Sequence, residues 1–417
     1  MRDGSAATKN DSMVNASSTT WISERATRLG FAMAGVARAE KFPELLRQQE
    51  WLARGYAGEM KYLTDTRRSD PQLALPGMQS VIVCALPYNT GHARTQQAFG
   101  ELHDASETGG PRGWISRYAW GDDYHDVLRK KLQMLLNGLR EQHPQPFEAR
   151  IYADTGPINE RVLAKHAGLG WLGKNTLLLN ERIGSFFFLG VILTTLDLPP
   201  TLGSSEVPPA NRCGTCRKCI DACPTHALVE PYVMDARKCI SYLTIELRGS
   251  IPEQLREPMG HHIFGCDICQ DVCPWNSHTP LTYANEFQPR WFGHPSAAAS
   301  PEKQFTLDEQ NGASPETLFL PRLNWLASLS QSDFSEMFRG SPIKRTKWQG
   351  LIRNVCVALG NSRLLRDSAA FERIASVLRP LAASPDPVIS ESAQWAVSRI
   401  QANEASPTVT HRENDVR

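Results

Sequence analysis

The stretch Cys213-Gly214-Thr215-Cys216-Arg217-Lys218-Cys219-Ile220-Asp221-Ala222-Cys223-Pro224 sets four cysteines at intervals of three, three and four residues and closes on proline. This is the bacterial ferredoxin spacing, in which three thiolates hold one 4Fe–4S cluster and the fourth reaches across to a neighbouring one. Further on, Cys266-Asp267-Ile268-Cys269-Gln270-Asp271-Val272-Cys273-Pro274 repeats the last three positions of the same motif. Its first position falls on Ile263, which cannot ligate iron. Cys239 is the one other cysteine between the runs and is inferred to take that place. The crossing rule then assigns Cys213, Cys216, Cys219 and Cys273 to one cluster, and Cys223, Cys239, Cys266 and Cys269 to the other. Pro224 and Pro274 help turn the chain away after each crossing ligand, because proline lacks the N–H that continues a helix.

Other uses of these cysteines fit less well. A structural zinc site prefers separated Cys-x2-Cys pairs, which three cysteines at successive intervals of three do not provide. Disulfides are rare in a reducing compartment. The first 20 residues are rich in Ser, Thr, Asn and Ala and lack the apolar core of a secretory signal, so they are expected to be a disordered leader and the protein cytoplasmic. No stretch approaches the ~20 apolar residues of a membrane-spanning helix, and no membrane partner is expected. Cys84 in V-I-V-C-A-L and Cys356 in R-N-V-C-V-A-L sit in apolar periodic segments and read as core residues.

The 417 residues suggest two or three domains. With 45 basic and 44 acidic residues the net charge is +1, so any surface for a polyanion must be local. Residues 21–198 read as a mixed α/β domain. Helical patterning appears at 44–52 and 126–139, where Val127, Leu128, Leu132, Leu135, Leu136 and Leu139 share a face, and strand-like runs appear at 81–86, 150–153 and 186–195. A Pro- and Ser-rich linker covers 199–210. A ferredoxin-like two-cluster domain is assigned to 205–284 and an α-helical region to 285–402, with a polar, loose tail beyond Asn403.

Two loops of the first domain carry ligand chemistry. Asp154-Thr155-Gly156-Pro157 follows a strand and precedes a helix expected over 158–167, which puts Asp154 where α/β sheets place ligands, or in a helix-capping role. Gly168-Leu169-Gly170-Trp171-Leu172-Gly173-Lys174-Asn175-Thr176 nearly matches a phosphate-binding loop. Asn175 stands where Ser or Thr must hold magnesium, and a strand hairpin rather than a helix is expected next, so a nucleotide triphosphatase is rejected. The glycines still allow close backbone approach to a ligand. Ser116-Arg117-Tyr118-Ala119-Trp120-Gly121-Asp122-Asp123-Tyr124-His125 suits either a cofactor wall or a helix entry capped by Asp122 or Asp123.

Taken together, from about Leu29 to Ile400, these segments resemble the epoxyqueuosine reductase family of tRNA queuosine synthesis. The matching stretches are G-E-M-K-Y-L with Arg68-Ser69-Asp70-Pro71, S-R-Y-A-W-G-D-D-Y-H, D-T-G-P, A-G-L-G-W-L-G-K-N-T, C-I-S-Y-L-T-I-E-L-R-G, F-G-C-D-I-C-Q-D-V-C-P-W-N, K-R-T-K-W and R-N-V-C-V-A-L-G-N. The resemblance implies a cobalamin bound by the N-terminal domain, two clusters that feed it electrons from an external low-potential donor, and two-electron reduction of an epoxide to an alkene on a tRNA base. A reductive dehalogenase-like enzyme or a plain electron carrier are the alternatives. It also implies Asp154 as proton donor, with a pKa raised by desolvation once cofactor and substrate shield it. Cobalamin contacts are expected from Arg68, Tyr118, Asp154, Lys174, Asn175 and Ser241.

The C-terminal region is expected to be HEAT-like and to contact tRNA, in a monomeric protein. Val357-Ala358-Leu359 and Trp395-Ala396-Val397 are 38 residues apart, close to the period of helical-pair repeats, although an ordinary helical bundle serves equally. Lys344, Arg345, Lys347 and Arg353, with Trp348 among them, form the densest basic stretch there. The alternative for such a run is a solvated helix face.

Overall fold

The computed structural model describes residues 7–95, 97–98, 110–203, 206–292, 316–362, 364 and 368–402. Four strands, β1 (Met33–Arg38), β2 (Ser80–Pro87), β3 (Ala149–Tyr152) and β4 (Phe187–Thr194), form an antiparallel sheet in the order β1-β2-β4-β3. The central strand β2 is buried on both faces, as its unbroken apolar run requires. Side chains alternate along it. Ile82, Cys84 and Leu86 meet helices α1 (Ala7–Arg28) and α3 (Tyr124–Gln142), while Val81, Val83 and Ala85 meet α2 (Glu44–Ala53) and α4 (Glu160–His166). Cys84 is therefore a core residue, and burial alone pushes its thiol pKa far up.

Two expectations change here. The sheet is antiparallel, so the ligand rule for parallel α/β sheets does not place Asp154; its turn leaves the end of the edge strand β3. Residues 7–20 also belong to helix α1, which buries Ile22 and Ala26 beside α3; residues 1–6 lie outside the described set. The expected tail beyond Asn403 lies outside it too.

The cysteine-rich segment has little regular structure. It repeats one local device. The four-residue helices Lys218–Asp221 and Ile268–Asp271 each carry the next-to-last cysteine of a run, Cys219 or Cys269, and each leads into a Cys-Pro pair. Ile263, the position without a thiol, lies fully buried in a short strand, His262–Phe264, paired with Trp114–Ile115. A second short helix, α5 (Ile240–Ile245), starts directly after Cys239.

Helix α6 (Lys347–Gly360) is buried along Gly350–Gly360 on all sides, with α8 (Pro387–Ala402) against it and α7 (Ala369–Ala382) against α8. The two related segments are neighbours: a side chain at Gly360 would collide with Trp395 and Ala396. Arg353, expected on the surface, is fully buried. Its guanidinium donates to the carbonyls of Leu243, Leu247 and Gly249 at 2.6–2.8 Å. It ties α6 to the stretch after Cys239 and is unavailable to a phosphate.

Candidate active site

The seven cysteines of the two runs and Cys239 are free and partly exposed, and they sense one another in two groups. Cys219 is pushed up to about 11, first by burial and then by Cys273, Cys213 and Cys216. Cys273 is raised by burial and by Cys213 and Cys216. In the second group, burial and then Cys269 and Cys239 raise Cys266, and burial and then Cys239, Cys219 and Cys223 raise Cys269. Cys269 also senses Cys219, so the two groups adjoin there. Bare, such thiols hold their protons; iron supplies the positive charge that four gathered thiolates need.

A cleft of about 1680 Å³ lies beside them, well beyond the roughly 300–1,000 Å³ of an ordinary small-molecule site. The first domain contributes Tyr118, Asp154, Leu177 and Phe188, the cysteine-rich segment contributes Met234 and Gln270, and the helical region contributes Arg345. Arg345 is held by a bidentate ion pair with Glu246, at 2.5 and 3.1 Å, and lies over the Tyr62 ring.

Asp154 sits in this cleft with φ +60°, a left-handed backbone that costs a non-glycine residue about 1–2 kcal/mol. It does not cap helix α4; the Asn159 side chain does. Its carboxylate accepts from the Tyr124 hydroxyl at 2.6 Å and lies 3.6 Å from His125 Nε2, while Asp123 Oδ1 holds His125 Nδ1 at 2.6 Å. Burial opposes a charge on His125, but Asp123 and Asp154 outweigh it and raise its pKa to about 9. Burial pushes Asp154 upward, yet His125 and Tyr124 win and hold it below the ordinary carboxylate range. The Asp154 side chain is 63% exposed, so solvent limits what burial adds, and the rise expected from desolvation does not occur in this structure. The proton of this pair rests on His125.

Comparison with known proteins shows what the chain is similar to. Residues 212–276 match the family model described as a 4Fe-4S double cluster binding domain, and residues 68–155 match that described as Epoxyqueuosine reductase QueG, DUF1730. The epoxyqueuosine reductase of Pseudomonas aeruginosa is 36% identical over 382 residues, covering 91% of this chain and 93% of its own length. That of Gloeobacter violaceus is 42% identical over 348 residues, covering 82% and 95%. The chain belongs to the epoxyqueuosine reductase family. A solved epoxyqueuosine reductase with an epoxyqueuosine-modified tRNA-Tyr stem loop superposes with a TM-score of 0.71 at 30% identity, covering 91% of this chain and 89% of that one. The Bacillus subtilis epoxyqueuosine reductase, solved with its catalytic loop swung out of the active site, gives 0.71 at 29% identity, with coverage of 91% and 90%.

Of the residues expected to touch cofactor in this epoxyqueuosine reductase family member, Arg68, Tyr118 and Asp154 line the cleft. Lys174, Asn175 and Ser241 are not among the lining residues and turn to the cysteine loops instead. Lys174 Nζ donates to the carbonyls of Gly214 and Cys216 at 2.6 and 2.9 Å. Asn175 is buried and donates to the Cys269 carbonyl, and Ser241, two residues after Cys239, acts on the Cys239 thiol and draws its pKa down against burial. The glycine-rich loop likewise serves close packing, since a side chain at Gly170 would strike the Leu179 carbonyl. The S-R-Y-A-W-G-D-D-Y-H stretch divides its work. Ser116 and the Arg117 N–H grip Asp267, between Cys266 and Cys269, at 2.5 and 2.8 Å, whereas Tyr118 and Tyr124 face the cleft. Sequence reasoning quoted Tyr124 and His125 but gave them no role, because only the fold brings them to Asp154.

Proposed function

We propose that this chain reduces epoxyqueuosine to queuosine in tRNA, with cobalamin in the cleft and two 4Fe–4S clusters on the ligand sets Cys213, Cys216, Cys219, Cys273 and Cys223, Cys239, Cys266, Cys269. The observation that carries the reading is the convergence of three parts of the chain on one large cleft with Asp154 in its wall. Its size suits a macrocycle with a base on top, and cleft-lining Gln270 follows Cys269 directly, which suits electron delivery from the clusters. Arg68 and Tyr118 would hold cobalamin, which supplies a low-potential metal centre for two-electron reduction. The balance is epoxide plus two electrons and two protons to alkene plus water, with an external low-potential donor as the electron source. Asp154 gives the proton to the departing epoxide oxygen, His125 replenishes it, and Tyr124 fixes the carboxylate. The turn that carries Asp154 is a movable element, as in the Bacillus subtilis relative. Anaerobic incubation with an epoxyqueuosine-modified stem loop and a reductant should give a nucleoside one oxygen lighter; unchanged substrate would refute the reaction.

The cluster assignment predicts eight irons in the reconstituted protein, because eight thiolates make two sets of four. Cys239→Ala should damage the same cluster as Cys223→Ala by electron paramagnetic resonance. Two intact clusters in Cys239→Ala would show that another group fills the position of Ile263.

The helical region, read as a HEAT-like array, is the proposed tRNA surface. Lys344, Arg345 and Lys347 are exposed, and Arg345 reaches the cleft. Replacing all three by Ala should weaken stem-loop binding and flatten its salt dependence by roughly 0.7–0.9 per lost phosphate contact. An unaltered slope would move the tRNA surface elsewhere on the protein.

A further inference from the structure

Asp154 holds a backbone conformation that side chains disfavour, in a turn that must also present its carboxylate to the cleft. Something must hold it there. Its N–H donates to Glu160 Oε1 at 2.7 Å, across the turn from the first residue of helix α4. Arg68 secures the middle of the same turn, donating to the carbonyls of Gly156 and Ile158 at 3.0 Å each. Arg68 and Arg161 act on Glu160 as cations and Asp154 as an anion.

We propose that Glu160 is the positioning residue of the catalytic turn: its carboxyl oxygen latches the Asp154 N–H and so keeps the Asp154 carboxylate facing the cleft. The helix that carries Glu160 is packed on the sheet through Val162, Leu163 and Ala164, so the latch stands on a rigid element. Burial, and then the charge of Asp154, push Glu160 up to about 8. At neutral pH it is therefore protonated, accepts through its carbonyl oxygen and adds no second negative charge behind Asp154. Glutamine offers the same uncharged acceptor; alanine offers none.

The inference rests on Asp154 acting as proton donor, and the test separates the two. Hydrogen–deuterium exchange of the peptide containing Asp154 is followed in the cluster-loaded protein, alongside kcat and KM for the modified stem loop. Glu160→Ala should speed exchange at Asp154 and lower kcat by ~10–10²-fold with KM unchanged, because a small misplacement of a reacting group has effects of that size. Glu160→Gln should restore slow exchange and recover most of the lost kcat. Unchanged exchange in Glu160→Ala, or a Gln variant as impaired as the Ala variant, overturns the latch. If Glu160→Ala does not fold, the Gln variant decides alone: fast exchange at Asp154 overturns the latch and slow exchange supports it. Fast exchange in Glu160→Ala with no change in kcat supports the latch and removes Asp154 from the chemistry.

Discussion

Asp154→Asn loses turnover by ~10²–10⁴-fold, roughly 3–5 kcal/mol of barrier, while iron content and cobalamin binding stay at wild-type levels. Opening the epoxide puts negative charge on oxygen, and a carboxylic acid in contact supplies the proton as the bond breaks. Asparagine keeps the shape and the bond from Tyr124 but has no proton to give. In the open cleft His125 carries that proton, because Asp123 and Asp154 hold its pKa at about 9 against burial. A base stacked over bound cobalamin would dry the site, which would favour moving the proton onto Asp154 and neutralising the pair. The wild-type rate should therefore fall as pH rises through about 9, where His125 loses its proton. The same shift has a stability consequence of fixed sign. The His125 pKa is raised from 6.5, so its stabilisation of the turn is complete below pH 6.5 and is lost as pH rises through about 9. Near wild-type turnover in Asp154→Asn would leave the aspartate as a feature of the turn alone.

Arg353→Met destabilises the protein by about 3–5 kcal/mol, read as the shift in denaturant unfolding of the cluster-loaded chain. Burial draws Arg353 down to about 10, so it stays charged at neutral pH without a carboxylate partner. Its charge is stabilised by carbonyl dipoles: Leu243, Leu247 and Gly249 accept from it, and the Asn354 side chain accepts twice more. Methionine fills much of the volume yet leaves those oxygens without donors. Lysine should rescue little, since three donors on a point charge cannot reach the span that a planar guanidinium covers. The acceptors follow Cys239, so loss of iron from the second quartet should accompany the loss of stability. A shift below about 1 kcal/mol would mean that the carbonyls find water instead.

The parts of this molecule that chemistry forces into a fixed spacing were legible in the sequence. A cubane needs four thiolates, and the match to a double cluster binding domain over residues 212–276 accords with the two cysteine runs. Helix α3 and strands β2 and β4 were legible because each buries one face or both in a regular period. Strand β1, M-A-G-V-A-R, was missed: it is short and small-residued, and pairing with β2 rather than its own pattern makes it a strand. Helix α1 is polar, and its order comes from packing on the sheet. Arg353 was misread because basic residues cluster around it, although its place between Leu351-Ile352 and Val355 is the mark of a helix buried on all sides. Lys174, Asn175 and Ser241 do not line the cleft, for a related reason. A loop beside a cofactor must itself be held in place, and a donor next to a site in sequence serves that bracing as readily as it serves the ligand.

The central claim is that the cleft unites cobalamin, clusters and the modified base. Cobalamin is titrated into iron-loaded, cobalamin-free protein with excess reductant and epoxyqueuosine stem loop, and queuosine formation is followed. The account predicts no product without cobalamin and a rate that saturates at one equivalent per chain. Full turnover in the cobalamin-free protein, or none at saturating cobalamin with both clusters intact, would contradict it.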